Sequence, residues 1–212
     1  MTGKSGLSQD DTPSFLHLPE EELRRPAERV ERLDAELQSA IDDMLRLLHR
    51  TGYPAVAAPQ VGVLRRAVAV DLSRTGRSPV VLVNPVVSAV SAERSVDLEG
   101  CLSLPGLVAK VARPERIRIT GLARTGQIVR LEAGGLLARI LQHKVEHLDG
   151  ILFLDHLAPL DRAFLERRAP VTGPRCSLSR TAPGAGPRQP EEAVAALSSR
   201  PISRKAAKAS ST

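Results

Sequence analysis

Aromatic side chains are almost missing from this 212-residue chain, which has no tryptophan, one tyrosine (Tyr53) and three phenylalanines (Phe15, Phe153 and Phe164). A core must therefore be built from Leu, Val, Ile and Ala, and the stacking platforms on which single-stranded nucleic acids rest are excluded. No apolar run approaches the roughly 18 residues needed to cross a bilayer, so neither a membrane nor DNA is expected as a partner. Cysteine is scarce too. Cys101 and Cys176 are poorly suited to a disulfide framework, which fits a reducing compartment and a cytoplasmic location. The polar start, Met1-Thr2-Gly3-Lys4-Ser5, is not followed by an apolar stretch, so no secretory signal is read. Most of the chain also lacks an excess of charge. Residues 1–167 carry 22 Lys/Arg against 22 Asp/Glu, and residues 168–212 carry 8 against 2, so the formal net charge of +6 sits in the tail.

At about 100 to 200 residues per domain, the length allows one domain with an appendage. Residues 1–20, with Pro13 and Pro19, read as a loose lead-in. Over 31–49, apolar residues recur at Leu33, Leu37, Ile41, Met44, Leu45 and Leu48. These steps of three and four predict an amphipathic helix, closed by Gly52 in a left-handed cap and by Pro54. Short β-branched runs follow: 67–70, 80–83, 86–87, 107–111 and 117–119. They are separated by turn formers such as Gly76, Asn84-Pro85, Pro105-Gly106 and Gly126, and are read as strands. A second helix is expected over 135–148, ended by Gly150, with one more strand at 151–154. The tail, 168–212, holds six prolines and no sustained periodicity, and is expected to be disordered. The predicted domain thus spans 21–167.

The sharpest chemical signal is His143-Lys144-Val145-Glu146-His147 on the second helix. Histidines at i and i+4 project from one face and can place two imidazole nitrogens on one metal ion. A pair of helix histidines without any ligand fits the same spacing. Cys101, in Glu99-Gly100-Cys101-Leu102-Ser103, would supply a third ligand, although a cysteine of this kind is also readily an inert small hydrophobe. Gly100 beside it permits a close backbone approach.

Three segments, in order and in spacing, together resemble the peptide deformylases. That family shows Gly-x-Gly-Leu-Ala-Ala-x-Gln, Glu-Gly-Cys-Leu-Ser and Gln-His-Glu-x-Asp-His-Leu. Here the matching stretches are Tyr53-Pro54-Ala55-Val56-Ala57-Ala58-Pro59-Gln60, Glu99-Gly100-Cys101-Leu102-Ser103 and Gln142-His143-Lys144-Val145-Glu146-His147-Leu148. The resemblance covers about 22–160. It implies an α+β fold with mainly antiparallel sheet around the metal-binding helix and an N-terminal amphipathic helix beside it. It also implies a metal-dependent amidase that removes the formyl group from the N-terminal formyl-methionine of new polypeptides. By position, Cys101, His143 and His147 would hold one divalent ion, Fe(II) or in its place Zn(II) or Ni(II). Gln60 and the Leu102 backbone N–H would form the oxyanion hole. Glu99 would stand behind a ligand, and Tyr53, Pro54, Ala55 and Gly100 would line the substrate.

Two departures stand out. The family's general acid/base glutamate is Lys144 here, a group that is ordinarily protonated and repels a dication. Glu146 is its mirror placement: with about 100° per residue, the positions at i+1 and i+3 lie about 80° to either side of the histidine pair. It is either a substitute base or a structural acid that holds a histidine or an arginine. In the first segment both motif glycines are replaced, and Pro54 has no N–H to pair with an extended peptide. Two functions therefore stay open: a deformylase with reduced activity, and an inactive relative that binds metal, formyl-peptide or ribosome. Arg200, Arg204, Lys205 and Lys208 in the tail offer a route to ribosomal RNA, and a solvated tail with no partner fits the same composition.

Overall fold

The computed structural model describes residues 20–71 and 79–167, all within the first of two units into which the chain divides, Met1–Cys176 and Ser177–Thr212. The lead-in before residue 20 and the basic tail lie outside the described residues. The elements run α1 (Glu20–Leu23), α2 (Ala35–Thr51), β1 (Ala55–Ala57), β2 (Ala67–Asp71), β3 (Pro79–Val90), β4 (Arg94–Cys101), β5 (Leu104–Pro114), β6 (Arg116–Leu122), β7 (Ile128–Gly134), α3 (Gly135–Leu148) and α4 (Pro159–Glu166). Single 3₁₀ turns occupy Ala58–Val61 and Phe153–His156.

Five strands form an antiparallel sheet in the order β1-β2-β3-β6-β7, and β4 pairs with β5 in a separate two-stranded sheet. Successive strand residues face opposite sides, so the five-stranded sheet has two apolar faces to cover. Val56, Ala67, Ala69, Val81 and Val83 pack against Leu37, Ile41, Met44, Leu47 and Leu48 of α2. Their neighbours Ala55, Val70 and Leu82, with Ile117, Ile119 and Ala133, pack against Ala138 and Leu141 of α3. Covered on both sides, β2 is buried at all five residues, which is why its first four, Ala67 to Val70, read as an unbroken apolar run. A third cluster, Cys101, Leu107, Val111, Phe153 and Leu154, gathers around the β4–β5 hairpin.

The α+β architecture agrees with the expectation, and its boundaries differ for local reasons. Helix α2 begins four residues later than the periodicity suggests, because the Asp34 carboxylate accepts the Leu37 N–H at 3.0 Å and caps the helix there. Gly52 takes the left-handed cap at φ 68°. Asn84-Pro85 does not separate two strands but lies inside β3, where the register with β6 slips. Asn84 sits there at φ 49° and exchanges hydrogen bonds with the Val30 backbone, at 2.9 and 2.8 Å. Residues 151–154 are not a strand. The Asp155 carboxylate accepts the Leu152 N–H at 2.9 Å and the Asp155 N–H bonds the Leu152 carbonyl, which curls the segment into a 3₁₀ turn. The turn's apolar side chains are buried against the hairpin. Helix α3 spans 135–148 as expected but is followed by α4, which the pattern did not reveal.

The end of α3 is strapped by the start of the described chain. The Ala27 N–H donates to the Leu148 carbonyl at 2.8 Å, and Arg24 pairs with Asp155. At Gly150, φ is 72° and an added Cβ would lie 2.3 Å from the Arg24 carbonyl oxygen, so the strap fits only over glycine. Gly150→Ala is expected to cost about 1–3 kcal/mol from backbone strain alone, with the clash adding to it. Urea unfolding measures this, and unchanged stability would contradict the close approach.

Candidate metal centre

Three segments converge on one buried point. Helix α3 presents His143 and His147 one turn apart, and the last residue of β4 presents Cys101. The 3₁₀ turn after β1 brings in Gln60, which is fully buried. Cys101 is placed by the hairpin: Leu102 and Ser103 form the turn into β5, while 105–107 bulge out opposite Gly100 and Cys101. A Cβ on Gly100 would lie 3.3 Å from the Leu107 carbonyl oxygen, so the glycine serves the close approach expected of it.

The Cys101 Sγ lies 3.2 Å from His147 Nε2, which is 3.2 Å from His143 Nε2, and the trio's ligand atoms all fall within 4.8 Å. Tetrahedral sites with metal–nitrogen bonds of about 2.0–2.1 Å and metal–sulfur of about 2.3 Å have edges of about 3.3–3.6 Å, so the trio is nearly at coordination spacing. The donor set suits a divalent ion. His143 Nδ1 is 3.0 Å from Glu99 Oε2, an arrangement in which Nδ1 carries the proton and Nε2 is left as a bare ligand atom. The Cys101 thiol, which burial alone would push up, is held well below its ordinary range by the charge of His147, hydrogen bonds with His143 and His147, and the charge of Lys144. That favours the thiolate a metal needs.

Behind the ligands, Arg113 fills the space between two carboxylates. Its Nε and Nη2 donate to Glu99 at 2.5 and 2.9 Å, and its Nη1 and Nη2 donate to Glu146 at 2.7 and 2.8 Å. Arg139 adds a 2.7 Å bond to Glu99 and two more to the Val111 and Ser95 carbonyls. His156 closes the chain, with Nε2 3.0 Å from Glu146 Oε1. The Glu146 carboxylate is thus bonded to Arg113 and His156, which is the structural-acid geometry of the two weighed for it. Burial pushes the Glu99 carboxyl up, but hydrogen bonds from His143 and Arg113 and the charge of Arg113 outweigh it and hold the group at about 2.

Lys144 does not swing out to solvent. It is 9% exposed, and its Nζ donates to Gln60 Oε1 at 2.8 Å. Burial pushes its pKa down, against the charges of Cys101 and Glu99. The Ala57 N–H also donates to Gln60 Oε1, and Gln60 Nε2 donates to Ser103 Oγ at 3.2 Å and reaches Cys101 Sγ at 3.7 Å. Of the substrate-side residues, Tyr53 and Pro54 precede β1 and are partly exposed, and Ala55 is buried. The Pro54 carbonyl is bonded to the Asp71 N–H at 2.8 Å.

Ser103, Arg113, Arg139 and His156 were given no role from the sequence. Arg113 carried a signal, since it continues the inward alternation Leu107, Ala109, Val111 and is therefore a charge on a buried face. Arg139 and Glu146 lie at i−4 and i+3 from His143, on the face that the histidine already marked.

Fold and site together define a metallohydrolase-type centre: a cysteine sulfur and two helix imidazoles that could hold one metal ion, beside a buried amide donor. A family model described as polypeptide deformylase matches residues 13–163, and the chain belongs to that family. It is 41% identical over 152 residues to a peptide deformylase of Thermodesulfovibrio yellowstonii, covering 71% of this chain and 92% of that one. A peptide deformylase of Agrobacterium fabrum is 41% identical over 150 residues, 70% and 88% of the two chains. Among solved structures, the Legionella pneumophila peptide deformylase superposes with TM-score 0.68 at 37% identity, covering 73% and 90%. The Synechococcus elongatus enzyme in complex with actinonin gives 0.67 at 34%, covering 80% and 91%.

Glu99→Gln leaves Arg113 and Arg139 buried without their shared charge and is expected to cost about 3–5 kcal/mol. The depressed Glu99 carboxyl contributes stability above its ordinary value of 4.5 that is lost as pH falls toward about 2. The variant should lack that part of the acid limb in a pH series of urea midpoints. Matching curves for both proteins would refute the network's weight.

Proposed function

We propose that the chain is a divalent-metal hydrolase acting on the N-terminal formyl-methionine of new polypeptides. The observation that carries this is the convergence of Cys101, His143 and His147 next to Gln60 and the 102–103 turn. Cys101, His143 and His147 would hold the ion, with Fe(II) favoured by family resemblance and Zn(II) or Ni(II) as its substitutes. Such an ion supplies Lewis acidity, polarising the formyl carbonyl and acidifying water. Gln60 Nε2 and the Leu102 N–H are the oxyanion donors in this reading. The partner is the nascent formyl-methionyl chain, with the basic tail as a route to the ribosome and the cytoplasm as the workplace. No helix among the described residues is long and apolar enough to cross a membrane.

What this site does not offer is an acceptor for the proton of the attacking water. Lys144 donates, and Glu146 is bonded to Arg113 and His156. The substrate edge is also depleted: Pro54 has no N–H, its carbonyl is bonded to Asp71, and the Ala57 N–H is taken by Gln60. These observations favour slow turnover and support a second reading, a deformylase-like protein that binds formyl-peptide or metal without hydrolysing it.

A deformylation assay on formyl-Met-Ala-Ser with Fe(II)- or Ni(II)-loaded protein, prepared without oxygen, separates the two. Activity in the unaltered chain that is lost in Cys101→Ala supports the hydrolase. Inactivity in the unaltered chain with a gain of about 10²-fold or more in Lys144→Glu, the scale of a restored general base, supports the binding protein. Inactivity in both, with metal bound, overturns the hydrolase reading.

A further inference from the structure

Lys144 stands where the family's acid/base belongs, and its contacts give it another task. The Gln60 side chain is fully buried, and its oxygen faces two donors, the Ala57 N–H at 3.1 Å and Lys144 Nζ at 2.8 Å. With the amide reversed, its NH₂ would face both donors and lose both bonds, so the orientation is set by chemistry. The NH₂ end is consequently aimed away from Lys144, toward Ser103 Oγ at 3.2 Å and Cys101 Sγ at 3.7 Å. An amide nitrogen has two N–H groups, and here both have a partner. A carboxylate at position 144 would do the opposite, repelling Gln60 Oε1 and competing for the NH₂.

We propose that Lys144 is a positioning residue that acts through Gln60, holding its amide on the Cys101 sulfur and the Ser103 hydroxyl. Gln60 becomes a wall of the metal cradle, and to serve as an oxyanion donor its Nε2 must exchange the Ser103 or Cys101 contact for the substrate oxygen. The inference rests on Cys101 being a metal ligand. A hydrogen bond to a ligating thiolate withdraws electron density from sulfur, which tunes the metal–sulfur bond without touching the metal.

Cobalt(II) loaded into the full-length chain reads this out through its sulfur-to-metal charge-transfer absorption, which requires no turnover. The band in the unaltered protein, and its loss in Cys101→Ala, test the ligand reading by themselves. Given the band, Lys144→Met and Gln60→Ala are each expected to move it to longer wavelength, because the sulfur regains density. The double variant should move no further than Gln60→Ala alone, and Lys144→Arg, which keeps a donor at this position, should leave the band near its original place. A band unmoved in Lys144→Met while Gln60→Ala moves it, or additive shifts in the double variant, would overturn the proposal. If Lys144→Met does not fold, Lys144→Gln and Lys144→Arg test the converse, since both retain an N–H donor and both should leave the band near its original place. A band displaced in both as far as in Gln60→Ala would overturn it.

Discussion

The Glu99 carboxylate is the joint on which this molecule turns. The β4–β5 hairpin shares no strand pairing with the five-stranded sheet; beyond the backbone bonds of Glu115 to Glu93 and Gly135 at its base, side chains set its position relative to α3. Glu99 on β4 takes hydrogen bonds from Arg113 on β5 and from Arg139 and His143 on α3. Arg113 then reaches on to Glu146, one turn further along the same helix. A buried ionic network is costly to desolvate and contributes little net stability. What it supplies here is geometry, because guanidinium–carboxylate pairs have fixed planar register. The two carboxylates and two guanidiniums balance in charge, so the network can stay ionised while buried. Its result is that a cysteine on one sheet meets two histidines on a helix packed against another.

Much of this was legible in the sequence, and the part that was not has an identifiable cause. Helix α3 and its two histidines followed from spacing alone, as did the closure of α2 at Gly52. Cys101 became a ligand candidate only through its resemblance to a known pattern, because nothing in local spacing ties residue 101 to residue 143. Strand β4 escaped notice because Arg94, Ser95, Asp97, Glu99 and Gly100 give it little apolar character, and its exposed side carries Val96 and Leu98. The 151–154 run misled in the other direction, since an apolar tetrapeptide bounded by glycine looks the same whether it pairs as a strand or curls under a hairpin. Lys144 was read from the sequence only as a protonated group that repels a dication. Its burial depends on Gln60, 84 residues away, and no local rule contains that partner.

The comparison of the two ends of Gln60 changes how the substitution of a lysine for a glutamate is understood. Taken as a single position, the change removes a base and adds a repulsive charge beside a dication. Within the buried neighbourhood it is also a change of hydrogen-bonding polarity, from acceptor to donor, and the adjacent amide follows it. Gln60, Ser103 and Cys101 then form a consistent chain of donors and acceptors. Local consistency of this kind makes the lysine a working part of the cradle.

The strap across Gly150 has a bearing on how the molecule is made. The Ala27 N–H bonds the Leu148 carbonyl, and Arg24 pairs with Asp155 across 131 residues of sequence. The candidate ligands stand at 101, 143 and 147, with Gln60 further back. Contacts of such long range close late in folding, because the intervening loop entropy must be met first. During synthesis no emerging chain shorter than about 150 residues can draw the first and last of these segments together. The side chains from Gln60 to His147 therefore come together as one centre only after most of the domain has been made.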